Sequence, residues 1–190
     1  MLFRSAAFTV FAAQGWAQDA RTAGTRVVLL GTQGGPNFTA ERGECASAVI
    51  VNGQPYLVDC GYGTLGALKK ASINHRQVAN IFLTHLHDDH TADLAALLNR
   101  QWTDGRVAPT TVVGSFGTKK MVDAVVAFGE ASAAIRIVDE ARTIRPADMF
   151  KARDVEATRA PAEIFKDERV TVRSVENTHY PAESKARMPY

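Results

Sequence analysis

Three imidazoles and two carboxylates fall within seven residues, Thr84-His85-Leu86-His87-Asp88-Asp89-His90. Histidine offers a neutral ring nitrogen to borderline cations such as zinc, and aspartate adds an oxygen ligand. Ligands this close in sequence cannot all reach one tetrahedral ion, because successive side chains point in different directions. They can serve two neighbouring ions. His85 and His87 project the same way from an extended segment, and Asp89 and His90 turn toward a second ion as the chain enters a helix. The whole chain of 190 residues holds five histidines, and three of them lie in this cluster.

The elements that must position the cluster can be read around it. Ile81 to Thr84 is a buried strand, and Ala92 to Trp102 is a helix with Leu94, Leu97, Leu98 and Trp102 on its apolar face. The cluster therefore leaves the carboxyl end of a strand, where α/β sheets commonly place ligands. Upstream, Arg26 to Leu30 is a short apolar strand, and Cys45 to Cys60 reads as a hairpin around Asn52-Gly53, the favoured type I′ pair. That register sets Val51 opposite Gln54 and Ile50 opposite Pro55; counting outward sets Cys45 opposite Cys60. The two cysteines are then either buried thiols or a cross-strand disulfide. Thr64 caps a short helix to Ala71 that turns Leu65 and Leu68 inward, and Thr118 caps a helix carrying Met121, Val122, Val125 and Val126. Val112-Val113 and Ile135 to Val138 read as further strands, and Phe165 to Val175 as a late hairpin delivering His179 just past its end. Strands and helices alternating beside hairpins imply a mixed α/β sandwich.

Other motifs do not reach chemistry. Gly31-Thr32-Gln33-Gly34-Gly35 lacks dinucleotide-loop spacing, and Gly114 to Lys120 lacks the Gly-Lys-Ser/Thr order of a phosphate loop. Ser47, Ser115 and Ser174 have no spacing-based partner for a nucleophile. His75, in a polar stretch before the buried strand, is left out of the site. Composition is that of a globular enzyme, with 46% hydrophobic and 22% charged residues. A net charge of +2 gives no general pull toward nucleic acid or anionic membrane, and no apolar stretch approaches the roughly 20 residues needed to cross a bilayer. Arg4, the small apolar run Ser5 to Ala13 and Gly15-Trp16-Ala17 before Gln18 read as a secretory signal of residues 1–17. That reading places one domain at 18–190 and the protein in the periplasm or outside the cell.

The spacing His85-x-His87-x-Asp89-His90 resembles the signature of the metallo-β-lactamase superfamily. Val27 to Thr32 with Gly34-Gly35-Pro36 resembles the family's opening strand and turn, Tyr56 to Gly61 its strand ending in Asp-x-Gly, and Val112 to Thr118 its next strand-to-helix step. The resemblance runs from about Arg26 to the end and favours the branch of ribonuclease Z and arylsulfatase-like hydrolases. Asp93 departs from it, standing where many members carry glycine. The resemblance implies an αββα four-layer sandwich, two zinc ions per complete site, with iron or manganese as alternative metals, and hydrolysis of an ester-type bond: phosphodiester, sulfate ester, lactone or β-lactam. It implies that His85, His87 and His179 hold one ion, that Asp89 and His90 serve the other with Asp89 also orienting the nucleophilic water, and that Asp88 supports a ligand from behind. Iron-dependent redox or dioxygenase chemistry, or metal binding without turnover, are the competing readings. A small-molecule substrate is favoured over nucleic acid on charge and on the signal. After His179 the chain offers Glu183 as its one acidic residue and no histidine. The expectation is therefore the N-terminal portion of a longer protein, incomplete at its C-terminus. Such a chain would bind at most one metal tightly, hydrolyse poorly and expose an apolar sheet face that invites self-association.

Overall fold

A computed structural model describes residues 23–35 and 37–179. The proposed signal segment, Pro36 and the residues after His179 lie outside that range. Six strands form one sheet in the order β1 (Thr25–Gly31), β2 (Ala46–Val51), β3 (Gln54–Val58), β4 (Asn80–Phe82), β5 (Thr110–Ser115) and β6 (Phe150–Val155). The first three are antiparallel and the last four run parallel. The Asn52-Gly53 turn has both residues at positive φ, 48° and 82°, and it sets Val51 opposite Gln54 and Ile50 opposite Pro55 as the sequence implies.

Parallel strands need crossovers, and here these are helices on one face: α1 (Thr64–Lys70), α2 (Leu94–Thr103), then α3 (Thr118–Asp139) with the short α4 (Pro146–Met149). Alternation along the strands sends Leu57, Ile81 and Val112 to this side, where they pack with Leu68, Leu97 and Leu98, all fully buried. Gln101, also fully buried, is satisfied by accepting from Thr110 Oγ at 2.8 Å and donating to the Val78 carbonyl at 2.7 Å, which ties α2 to the start of β5 and to the segment entering β4, at the amino ends of the strands.

Tyr56, Phe82 and Val113 point to the opposite face, and a separate hairpin, β7 (Ala162–Lys166) and β8 (Thr171–Ser174), packs on them. Phe165 meets the Phe82 ring edge-on at 5.3 Å, and Tyr56 donates a 2.6 Å hydrogen bond to Asp167. Burial, and then the Asp167 carboxylate, push the Tyr56 hydroxyl up to about 12. Val27 and Leu29 of β1 are exposed. Among the described residues no helix is long and apolar enough to cross a membrane.

Three expectations are corrected. Ile135 to Val138 is not a strand; it forms the last turns of α3. A run of four apolar residues fits either period. Here the alanines at 124, 127, 131, 133 and 134 favour helix, and an Arg136–Glu140 pair four residues apart closes its end. Thr64 and Thr118 are first residues of their helices rather than caps. Glycines 63 and 117 take the cap positions, and each threonine hydroxyl donates back to the preceding turn, to Gly61 and Ser115 carbonyls at 2.6 and 2.7 Å. The cysteines are both free thiols. The register that would pair them ends at Ser47 opposite Val58, because Asp59 adopts a left-handed φ of 60°. Past that residue Gly61 N–H donates to the Cys45 carbonyl at 3.0 Å, a slip of one residue. A one-residue slip moves a side chain to the other face. Cys60 accordingly enters the helix-side core, where burial raises its thiol pKa, and Cys45 is left beside the histidines.

Candidate metal centre

The site lies at the carboxyl ends of β3 and β4. β4 leads through Leu83 and Thr84 into His85–His87, and the Asp88–His90 segment makes one tight 3₁₀ turn before α2. Main-chain bonds stitch that turn to the end of β3. Cys60 N–H donates to the His90 carbonyl at 2.8 Å, and Asp93 N–H donates to the Cys60 carbonyl at 3.0 Å. Gly61 has to be glycine, since a Cβ there would sit 2.2 Å from the Asp89 carbonyl. Asp93 itself accepts from Leu65 N–H at 3.0 Å, so the residue that departs from the family pattern holds the first turn of α1.

Two donor groups result. His85, His87 and His179 bring their ligand nitrogens within 4.8 Å of one another, although His179 is 92 residues from His87. His85 Nε2 lies 3.0 Å from His87 Nδ1, and His179 Nε2 lies 3.3 Å from that same nitrogen. The β7–β8 hairpin makes this meeting possible, since its docking on Tyr56 and Phe82 carries the following segment back to the strand ends. Burial and then the neighbouring imidazoles of His90, His179 and His87 lower the His85 pKa to about 4. At neutral pH its ring is therefore uncharged, the form that binds a metal.

The second group is Cys45, Asp89 and His90, again with ligand atoms within 4.8 Å. Asp89 is buried and accepts from the Gly35 N–H at 2.6 Å, while His90 Nε2 stands 3.5 Å from the same carboxylate oxygen. A Cβ on Gly35 would lie 2.6 Å from the Asp89 carboxyl carbon, so glycine is what lets this amide reach the carboxylate. Burial, then the Asp89, Asp59 and Glu44 carboxylates, raise the Cys45 thiol pKa. The surroundings suit a neutral thiol, or a thiolate beside a cation.

Asp59 holds both groups from behind. This buried carboxylate lies 2.8 Å from His90 Nδ1 and accepts from the Thr84 N–H at 2.8 Å and from the Thr84 hydroxyl at 3.0 Å. The Thr84 hydroxyl in turn lies 3.1 Å from His85 Nδ1. Engaging the Nδ1 atoms of His85 and His90 directs their Nε2 lone pairs outward, the orientation that outer carboxylates give to metal-binding histidines. Asp88, expected in that supporting role, is exposed and touches its neighbours through its main-chain carbonyl, which accepts from Thr91 and Ala92. Asp59 and Cys45 join the site only through the fold, and no spacing to the histidine motif marks them in the sequence. The available signal for Asp59 was its position at the end of an apolar strand, immediately before Cys60-Gly61. His75 pairs with Asp104 at 3.0 Å, away from both groups. The donor set fits divalent metal: five of the six residues are nitrogen or carboxylate ligands, and two histidines are oriented from behind.

Known proteins resemble this chain in sequence and in fold. Residues 40–176 match the model of the Metallo-beta-lactamase superfamily. A ribonuclease Z of Mycolicibacterium gilvum is 37% identical over 100 residues, covering 51% of this chain and 35% of that protein. A ribonuclease Z of Clostridium botulinum is 37% identical over 95 residues, covering 50% and 30%. The chain thus spans about a third of the length of these relatives. Among solved structures, the short form of human tRNase Z is similar with a TM-score of 0.58 at 24% identity, over 78% of this chain and 57% of that one. A long-form RNase Z from yeast gives 0.52 at 20% identity, over 72% and 18%. At these identities the two structures speak for the fold.

Proposed function

The chain belongs to the metallo-beta-lactamase superfamily, and from that membership we propose that it carries the metal centre of a zinc-dependent hydrolase of phosphodiesters. The observation that carries this reading is the convergence of His85, His87 and His179 beside Asp89 and His90, at the ends of two parallel strands. The name ribonuclease Z, borne by the relatives at 37% identity, supports a phosphodiester over a sulfate ester, lactone or β-lactam. It also moves nucleic acid ahead of a small molecule as substrate, against the preference drawn from charge and from the N-terminal signal pattern.

His85, His87 and His179 would hold one divalent ion, and Asp89 and His90 would contribute to a second. When bound, such ions supply a nucleophilic water at neutral pH and offset charge on the phosphoryl oxygens. The protein's own part is orientation. Asp59 and Thr84 fix two imidazoles, and the Gly35 amide fixes one oxygen of Asp89. Asp89, so held, is placed to orient the attacking water and to take up its proton.

The test is a substrate panel with added zinc: an RNA with a 3′ extension, bis(4-nitrophenyl) phosphate, 4-nitrophenyl sulfate, a lactone and a chromogenic cephalosporin. The phosphodiesters should turn over fastest, and Asp89→Asn should lower that rate by about 10² or more, as losing a positioned base does. Preference for the sulfate, lactone or cephalosporin, or turnover indifferent to zinc, would overturn the proposal.

A further inference from the structure

Cys45 sits one residue before β2, on the segment that returns from the Gly31–Gly35 turn. Its sulfur makes a long hydrogen bond to the Gln33 carbonyl at 3.4 Å and lies within 4.8 Å of the ligand atoms of both Asp89 and His90. The three donors come from two stretches of chain, Cys45 from one and the adjacent Asp89 and His90 from the other, and a different contact holds each in place. The left-handed backbone at Asp59 slips the strand pairing and leaves Cys45 on this side of the sheet. The Gly35 N–H fixes Asp89, and the Asp59 carboxylate occupies the Nδ1 of His90. What remains directed into the space between them is one sulfur, one carboxylate oxygen and one ring nitrogen.

We propose that Cys45 is a thiolate ligand of the second metal ion, making a Cys45–Asp89–His90 site whose sulfur selects zinc over manganese or magnesium. The inference rests on the metal-centre reading above and deepens it by naming the donor that sets metal preference. A sulfur, nitrogen and oxygen set suits zinc, whereas manganese and magnesium prefer oxygen ligands throughout. Zinc bonds thiolate sulfur, imidazole nitrogen and carboxylate oxygen at comparable distances of about 2.0–2.3 Å. Binding breaks the S–H bond of Cys45, forms a sulfur–metal bond and releases the proton to solvent, with no change in oxidation state. Cys60, in the core, is the internal control, since it shares the chain but not the site.

Cobalt(II) titrated into the metal-free, reduced 190-residue chain tests this directly. Visible d–d bands report cobalt on the histidines, and a near-ultraviolet sulfur-to-cobalt charge-transfer band reports a thiolate ligand. The charge-transfer band should grow with the second equivalent and vanish in Cys45→Ser. The second cobalt should be weakened there by more than about tenfold, the lower end of what losing even an outer partner costs. Cys60→Ala should retain the band. Cobalt bound with d–d bands but no charge-transfer band, or a band that survives Cys45→Ser, would overturn the thiolate assignment alone; failure to bind cobalt at all would remove the metal-centre reading with it. As a measurement needing no variant, zinc should slow alkylation of Cys45 by iodoacetamide, located by peptide mass, by about tenfold or more. An unchanged rate at saturating zinc would contradict the proposal.

Discussion

Asp59 joins two residues of the histidine motif that the chain alone does not connect. It sits 26 positions before His85 and reaches the motif through the parallel pairing of β3 with β4, which sets Val58 beside Phe82. Its carboxylate then meets the Thr84 amide and the His90 ring. Asp59→Asn keeps the size and tolerates the left-handed φ of 60°, but it removes the charge that orients the imidazoles. Zinc affinity should fall by about 10- to 100-fold with the fold intact, as for other outer-carboxylate losses; competition against a chromogenic chelator, with circular dichroism alongside, measures both. At this scale the cluster His85, His87, Asp89 and His90 was legible because the donors are consecutive. Asp59 and Cys45 were not, since each is joined to the cluster only through a neighbouring strand. The exchange of Asp88 for Asp59 has the same origin: spacing gives proximity along the chain but not the direction of a side chain leaving a 3₁₀ turn.

At the scale of elements, the β7–β8 hairpin matters most, because it brings His179 to His85 and His87. Tyr56 and Asp167 latch it to the sheet at 2.6 Å. The Tyr56 hydroxyl, raised to about 12 by burial and then by Asp167, holds its proton in the folded chain above pH 10, where the unfolded chain begins to lose it. The folded state thus binds more protons in that window. The contribution is complete below pH 10 and is lost as the pH climbs toward 12. Urea unfolding followed from pH 9 to 12 should show declining stability. Tyr56→Phe should flatten that decline and cost about 2 kcal/mol at neutral pH, the scale of a hydrogen bond to a charged group. The elements that sequence identified were those with a strong local code: Asn52-Gly53 for the first hairpin, and the spacing of Leu94, Leu97, Leu98 and Trp102 for α2. Ile135 to Val138 failed because four apolar residues carry no period of their own, and the length of α3 decided their state. The disulfide register failed for another reason: one left-handed residue, Asp59, ends the count that hairpin arithmetic extends.

For the whole molecule, helices cover one face of the sheet, a hairpin covers part of the other, and the candidate metal centre lies at the strand ends where these layers meet. The N-terminal pattern of Arg4, the apolar run to Ala13 and Ala17 leads us to propose export with cleavage before Gln18. Mass spectrometry of the protein recovered from cells should find a chain beginning at Gln18, and an intact Met1 on cytoplasmic protein would reject export. The central claim concerns the histidines themselves. Zinc content of the purified chain, measured by elemental analysis after dialysis against metal-free buffer, tests it most directly. The account predicts that the chain retains tightly bound zinc and that the double variant His85→Ala, His87→Ala loses the ion these histidines hold, lowering its zinc content, while its far-ultraviolet circular dichroism is preserved. Equal zinc in the two proteins would contradict it.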